Sequence, residues 1–415
     1  MKSELLKTTL FVAAAAAAAG VAAWIEPPAY KAEVFEEQGE QFFPGFREVT
    51  AVKAIEVVDY DEAEATARPL KVELRKGRWV LSSHNDYPAE AQERLAKTAA
   101  ALVDLKKQQV VSDRWEDHGT YGVIDPLDAK NPSLQGRGKR ITLRDSQGIV
   151  LSELVLGAAV KDKPGYRYVR VPGQKRVYAV QTDADASARF QDWVDGNLLR
   201  LSASDIKRIS INSYSIDESM GRLTNLQRVT LAREGSSWKC DPPGKVSDAT
   251  ARSLAAALGG LRVTGARPKP AMLAEMLRTR RLAMTLESVM AMRSRGYFLT
   301  PDGRLLANEG EVAVETEKGL NYFLRFGEVV TGAAEAAKPG AAASTPLRQS
   351  EDRYLFVTVS TRNLELTAAA DNLEARFADW FYVISGADFK RLRLIDQLTP
   401  ARAAAKPPIT PMKNN

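Results

Sequence analysis

The sequence predicts an α+β fold with two tandem homologous units, each a mainly antiparallel sheet with packed helices, after one N-terminal transmembrane helix. Three observations predict it: an uncharged leader, short runs that alternate apolar and polar residues, and repetition of these runs in the same order in two halves of the 415-residue chain. The composition, 45% hydrophobic and 27% charged, is that of a globular protein and excludes wholesale disorder or many membrane spans.

The leader predicts the compartment. Residues 8–25 carry no charge, and Lys2 and Lys7 precede them. A helix of this length rises about 27 Å, close to the roughly 30 Å hydrocarbon core of a bilayer. We expect residues 1–25 to form a signal anchor in the inner membrane, with the bulk of the chain in the periplasm, because the lysines stay on the cytoplasmic side. A signal peptide cut after Ala23 is the alternative, and a buried alanine-rich helix is a third interpretation. Residues 26–50 are predicted to be a linker.

The first unit is predicted over residues 51–203. From about Pro88 to Leu105 apolar residues repeat on one helical face, which is typical of a helix packed on a sheet. The other runs alternate apolar and polar residues, as half-buried strands do. In chain order they are Val52–Val57, Val72–Trp79, Ile141–Leu143 paired with Leu154–Gly157 as a hairpin, Tyr166–Val171 and Val177–Gln181.

The second unit is predicted over residues 204–396 and repeats that order. Its helix is expected from about Asp248 to Leu261, and an added helix from Pro268 to Met284. The Ala- and Pro-rich residues 331–349 predict a flexible insertion, and residues 397–415 a disordered tail. The predicted strands are Ile206–Ile211, Val229–Trp238, Val312–Val314 paired with Leu324–Gly327, Tyr354–Val359, Leu364–Thr367 and a last strand-like run, Phe389–Leu394.

A six-residue repeat gives the candidate partner-binding residues. The segment Ala188–Trp193 reads ARFQDW, and Ala375–Trp380 reads ARFADW. If both segments are helical, the two aromatic residues of each lie on one face, and Phe381 and Ile384 extend the second stripe. We interpret these rings as packing the helix onto its sheet. The alternative is an exposed platform for a glycan or protein, formed by Phe190, Trp193, Phe377, Trp380, Arg189 and Arg376.

No catalytic or metal-binding pattern is found in the sequence. The single cysteine, Cys240, excludes an intramolecular disulfide and a cysteine-rich zinc site. The two histidines, His84 and His118, are too few for a histidine-rich metal site, although acidic neighbours of His118 leave a catalytic base as an alternative. There is no G-x-S-x-G elbow and no Walker-A loop, and a net charge of +6 does not indicate nucleic-acid binding. We expect a non-enzymatic protein without a cofactor or metal.

The strand run Tyr166–Val171, the following Val177–Val180 and the aromatic segment at Phe190 and Trp193, after an N-terminal membrane segment, resemble the bacterial proteins grouped as domain of unknown function 4340. The resemblance covers about residues 60–390. It implies an extracytoplasmic accessory of a gliding-type ABC transporter system, with the permease or an auxiliary subunit as its protein partner. Residues 8–25 would anchor this protein in the lipid bilayer. It implies no catalytic residues.

We therefore expect a membrane-anchored accessory or scaffold protein of an ABC-type transport system. One alternative is a module that binds a cell-envelope glycan or peptide, which a solvent-exposed Trp193 or Trp380 would favour. The other is an envelope hydrolase, which a pocket joining His118 to a carboxylate and a hydroxyl would favour.

Overall fold

The computed structural model describes residues 37–393, except 218–221, 244, 281–283, 301–302 and 331–350, together with Ala13, Ala15 and Ala16. The predicted anchor (apart from those three alanines), the insertion 331–349 and the tail 397–415 lie outside the described residues and stay predictions. Within the described part, no helix is both long enough and apolar enough to cross a bilayer. The α+β prediction is confirmed: sheets that are mainly antiparallel are packed with a few helices.

The first sheet contains nine strands of the described chain, in the order β4-β3-β2-β1-β6-β7-β8-β9-β5. Helix α1, Gln92–Val103, connects β4 to β5 and buries Leu95, Ala99 and Leu102, as its apolar spacing predicts. The strands are β1 Ala54–Asp61, β2 Thr66–Arg75, β3 Arg78–Leu81, β4 Tyr87–Pro88, β5 Gln109–Ser112, β6 Lys139–Arg144, β7 Val150–Ala159, β8 Tyr166–Arg170 and β9 Val177–Gln181.

The second sheet contains eight strands of the described chain, in the order β12-β11-β10-β16-β17-β18-β19-β13. Two further strands, β14 and β15, form a separate hairpin. The strands are β10 Ile206–Asp217, β11 Arg222–Glu234, β12 Ser237–Asp241, β13 Gly265–Pro268, β14 Tyr297–Leu299, β15 Leu305–Ala307, β16 Glu311–Thr316, β17 Leu320–Val329, β18 Arg353–Thr361 and β19 Trp380–Ile384. The helices are α2 Asp248–Gly259, α3 Ala271–Thr279, α4 Leu286–Arg293, α5 Thr367–Ala378 and α6 Gly386–Leu392.

The two sheets share one strand order. If β4 is omitted, the two strand orders match position by position: β3-β2-β1-β6-β7-β8-β9-β5 in the first sheet and β12-β11-β10-β16-β17-β18-β19-β13 in the second. The predicted hairpins are confirmed, because Ile141 pairs with Leu154 and Val312 pairs with Leu324. Inward residues of both sheets, α1 and α2 form one continuous hydrophobic core.

Residues 37–50, the described part of the predicted linker, pack against the first unit. Phe42 and Phe46 are buried in the shared core. Glu37 accepts hydrogen bonds from the Lys107 Nζ at 3.1 Å and the Tyr178 hydroxyl at 2.9 Å. The described part of the predicted linker is therefore packed against the first sheet.

Three predicted elements differ in the structure. Residues 364–367 are not a strand: Leu364–Leu366 form a 3-10 helix, which Asn363 caps, and α5 follows directly. Phe389–Leu392 belong to helix α6, whose N-terminus is capped by the Ser385 side chain, and Arg393 is its C-cap. The prediction that the second aromatic stripe lies on one helix is also wrong. Helix α5 ends at Ala378, and the aromatic and β-branched residues that follow form β19.

The two ARFxDW segments consequently occupy unlike positions. The first follows β9, and its residues Phe190–Trp193 form a 3-10 helix. The second spans the end of α5 and the start of β19. The two similar segments therefore do not lie at structurally equivalent positions in the two sheets.

Candidate binding cleft

A cleft with a volume of about 560 Å³ lies on the face of the second sheet that turns away from the shared core. Residues from α3, α4 and the β14–β15 hairpin form its walls, so the cleft is built by the segment between β13 and β16. The described segment between β5 and β6 of the first sheet contains only a 3-10 helix, Trp115–His118. The lining side chains are mostly long and apolar, and include Leu223, Leu226, Leu273, Met276, Leu277, Met292, Leu299, Leu305, Leu306, Phe323 and Phe356.

The floor of the cleft is a line of hydrogen-bonded polar side chains across the sheet. Arg228 Nε donates to Asn212 Oδ1 at 2.9 Å, and Asn212 Nδ2 donates to Glu311 Oε1 at 3.0 Å. Arg325 Nε lies 3.3 Å from Glu311 Oε2, and its Nη1 donates to Thr358 Oγ1 at 2.8 Å. Five neighbouring strands thus contribute one connected polar floor beneath apolar walls.

Strand geometry explains why these polar residues meet. Asn212 pairs with Glu311, and Glu311 pairs with Arg325, so the three side chains stand in one row. Side chains alternate between faces along a strand, and the next residues, Val312 and Leu324, are buried in the shared core. The register therefore places the polar residues on the opposite face.

The two charged side chains at the centre of the floor are largely buried. The Arg325 side chain is 13% exposed and that of Glu311 is 18% exposed. Burial lowers the pKa of Arg325, although Glu311 acts in the opposite direction, and a second acceptor, the Leu305 carbonyl, lies 2.8 Å from its Nε. Burial also raises the pKa of Tyr214, on the same face, to about 12. The site offers a fixed ion pair and hydrogen bonds, which suit binding.

The mouth of the cleft exposes large apolar side chains. Leu226 is 55% exposed, and Leu223 and Leu299 are also exposed. Five of the chain's eight methionines lie between residues 272 and 292, and two of them, Met276 and Met292, line the cleft. Exposed apolar patches mark interaction sites in soluble domains, and methionine adapts to varied apolar surfaces. This methionine cluster is a sequence signal for the cleft that the sequence reasoning missed.

Residues 79–277 match the family model described as Domain of unknown function (DUF4340). This match supports the resemblance to the DUF4340 family over that segment. No curated protein and no solved structure is similar enough to the chain to match it. The DUF4340 segment begins in β3 and ends in α3, at the cleft wall residue Leu277, so most of the cleft floor lies beyond it.

Inside the DUF4340 segment, Phe190 and Trp193 are buried in the core. Trp193 Nε1 donates to the Ser187 carbonyl at 2.7 Å, which satisfies its one donor. Arg189 is largely exposed and pairs with Asp192 at 3.0 Å. The two rings are therefore unavailable as a surface platform in this fold.

Beyond the DUF4340 segment, Phe377 is fully buried, and Trp380 is partly exposed with its ring 4.9 Å from that of Tyr87. Arg376 donates to Asp195 at 3.2 Å. The structure thus brings Trp380 against β4 of the first sheet, and Arg376 against the loop that follows β9. None of the six predicted partner-binding residues lines the cleft.

A second cavity of about 550 Å³ lies beside His118 in the first unit. His118 Nε2 is 2.7 Å from the Lys175 carbonyl oxygen, and burial lowers the pKa of the imidazole. The Ser112 hydroxyl donates to Asp117 at 2.7 Å. In the part of the chain that the structure describes, no group of three or more His, Cys, Asp and Glu side chains is arranged to hold a metal ion.

Proposed function

We propose that this chain is a membrane-anchored extracytoplasmic accessory subunit of an ABC-type transport system, held by residues 8–25 and without enzyme activity. Its role would be to hold an apolar ligand in the cleft beside the transporter. One observation carries the proposal: the cleft combines adaptable Leu and Met walls, an exposed apolar mouth and a floor whose central charges, Arg325 and Glu311, are paired. That arrangement suits capture and release.

We also propose that the two units arose by duplication, with residues 51–203 and 204–396 as the copies. The shared strand order supports this, as do equivalent central pairs: Ile55 lies opposite Leu143 in the first sheet, and Ile209 lies opposite Val314 in the second. In this interpretation the second copy gained α3, α4 and the β14–β15 hairpin, and with them the binding function.

The accessory role is tested by cross-linking in intact cells, followed by affinity purification of the tagged full-length chain from solubilised membranes. We expect recovery of an ABC permease or ATPase subunit. In parallel, a dye that fluoresces in apolar surroundings should bind the purified chain, and Leu226→Asp should weaken that binding while Leu364→Asp does not, because Leu364 is 90% exposed and lies outside the cleft. Failure to recover a transporter subunit would contradict the accessory role.

A second candidate function is a glycan- or peptide-binding module in the first unit. Trp115 is 52% exposed, packs against the His118 ring at 5.1 Å and lines the second cavity together with Asp125, Lys130 and Asn131. An aromatic face beside polar groups suits a sugar ring. Loss of binding to cell-wall fragments in Trp115→Ala, with unchanged thermal unfolding, would support this function. The hydrolase alternative gains less support, because His118 and Ser112 bond to different partners.

A further inference from the structure

We propose that the cleft on the second sheet binds a long-chain fatty acid, with the carboxylate beside the exposed arginines of the lining and the hydrocarbon chain along the walls of α3 and α4. The inference deepens the proposed function, since it names the ligand class of the same cleft. It rests on the polarity, the length and the charge of the cleft.

The cleft has one side open to solvent, where arginines are exposed, and one buried apolar side. Arg228 and Arg304 line the cleft and are exposed. Leu273 and Phe356 line it too, and both are fully buried. Exposure therefore falls from the strand that carries Arg228 toward the strand that carries Phe356. A ligand that fits this gradient has a polar head and an apolar body.

The length of the cleft matches one acyl chain. Arg228 lies on β11 and Phe356 on β18, four strand spacings apart in the order β11-β10-β16-β17-β18. At about 4.8 Å per spacing, the distance across the sheet is about 19 Å. One leaflet of a bilayer, which an acyl chain spans, accounts for about 15 Å of the hydrocarbon core. The remaining length would accommodate the head group.

Volume and charge narrow the ligand class. The volume of about 560 Å³ is within the range of roughly 300–1,000 Å³ that holds small molecules. A folded protein partner would instead need a face of about 800 Å². The charged residues of the lining are three arginines, Arg228, Arg304 and Arg325, and one acid, Glu311, which gives 3 − 1 = +2. An anionic head is favoured over a cationic one.

The test uses photolabelling of the full-length chain held in an amphipathic polymer. The probes are hexadecanoic acid with a diazirine at the end of its chain and, as the matched opposite charge, a hexadecyltrimethylammonium ion with the same diazirine. We expect saturable labelling by the fatty acid on peptides that contain Met276 or Met292, at least about tenfold above the ammonium probe, equivalent to about 1.4 kcal/mol.

Variants distinguish labelling inside the cleft from non-specific partition of the probe into the polymer. Leu226→Asp should reduce the cleft labelling by about tenfold, and the control Leu364→Asp should not. Replacing Arg228 and Arg304 together by Gln should remove most of the preference for the carboxylate while the thermal unfolding profile stays unchanged. The Arg pair is the sharper variant, because both side chains are exposed and their loss leaves the core intact.

The inference is overturned if the label falls outside the cleft, if both probes label equally, or if Leu226→Asp and Leu364→Asp behave alike. The proposed function has a separate readout. If the photolabel misses the cleft while the chain still recovers a transporter subunit and binds the apolar dye, the fatty-acid assignment alone is wrong. If the photolabel maps to the cleft but no transporter subunit is recovered, the fatty-acid assignment stands and the accessory role fails.

Discussion

Arg376 in α5 donates to Asp195, 181 positions earlier in the chain, at 3.2 Å. The same guanidinium lies 3.4 Å from the Asn197 carbonyl oxygen. This contact joins the helix that precedes β19 to the loop that follows β9, and Tyr87 packs between Phe190 and Trp380 beside it. The elements around the two sheets are therefore joined here by a polar contact next to an aromatic one.

The Asp195 contact predicts a pH-dependent contribution to stability. Burial raises the pKa of Asp195, but the Asn197 N–H and the charges of Arg200 and Arg376 outweigh it, so the pKa lies below its usual value. A lowered carboxyl pKa stabilises the fold above the unfolded value near 4 and loses that effect as the pH falls. Asp195→Asn should lower the free energy of unfolding by about 1.5–3 kcal/mol at pH 7, and by less at pH 3, measured by urea denaturation.

A matched control is Arg189→Gln. Arg189 also pairs with an aspartate, but its side chain is 80% exposed, so we expect a change within about 1 kcal/mol. An equal loss for Asp195→Asn at pH 7 and pH 3 would show that its charge is not responsible.

Lys269 predicts a stability change in the same pH direction but in a higher pH window. Its ammonium group is buried, donates to the Phe377 carbonyl at 2.8 Å and lies 3.9 Å from the centre of the Phe356 ring. Burial lowers its pKa to about 7, although Glu374 and Asp379 act to raise it. The unfolded chain keeps this proton up to about pH 10.4, so stability should rise with pH between about 7 and 10.

The variant Lys269→Met removes the buried charge and keeps a similar shape. We expect it to raise the free energy of unfolding by about 1–4 kcal/mol at pH 6, with a smaller gain at pH 9, where the native lysine is already neutral. Burial raises the pKa of the neighbouring Glu374, and its charge acts to raise that of Lys269. A gain of the same size at both pH values would contradict the assigned cause.

The role of the aromatic residues can be tested with two tryptophans. Trp193 is fully buried and Trp115 is half exposed. Trp193→Ala should cost about 3–5 kcal/mol in the free energy of unfolding, because it leaves a large cavity. Trp115→Ala should change it by less than about 0.5 kcal/mol. Chemical denaturation measures both, and comparable losses would mean that Trp115 also packs in the core.

Local pairing explains which elements are predictable from the sequence. The hairpins at Ile141–Leu154 and Val312–Leu324 are predicted because their partners lie close together in the chain and alternate regularly. The run at 364–367 is too short for its period to separate a strand from a helix. There the cap at Asn363 is the decisive signal, and it is visible in the sequence.

The cleft could not be predicted from spacing. Its floor joins Asn212 and Arg228 to Glu311 and Arg325, which are about a hundred positions apart and meet only through the strand order β11-β10-β16-β17. The ARFxDW segments show the reverse case. Local identity suggested equivalent helices, but tertiary context makes one a 3-10 helix and divides the other between a helix and a strand.

The paired floor of the cleft gives the last prediction. Arg325 and Glu311 are both largely buried, so removing one charge leaves the other without its ionic partner. Glu311→Leu should lower the free energy of unfolding by about 3 kcal/mol, while Glu311→Leu combined with Arg325→Met should recover at least half of that loss, because no uncompensated charge remains. Urea denaturation of the two single variants and the double variant gives the coupling energy. Additive losses would show that the two side chains stabilise the sheet independently, and that the arginine relies on Thr358 and the Leu305 carbonyl instead.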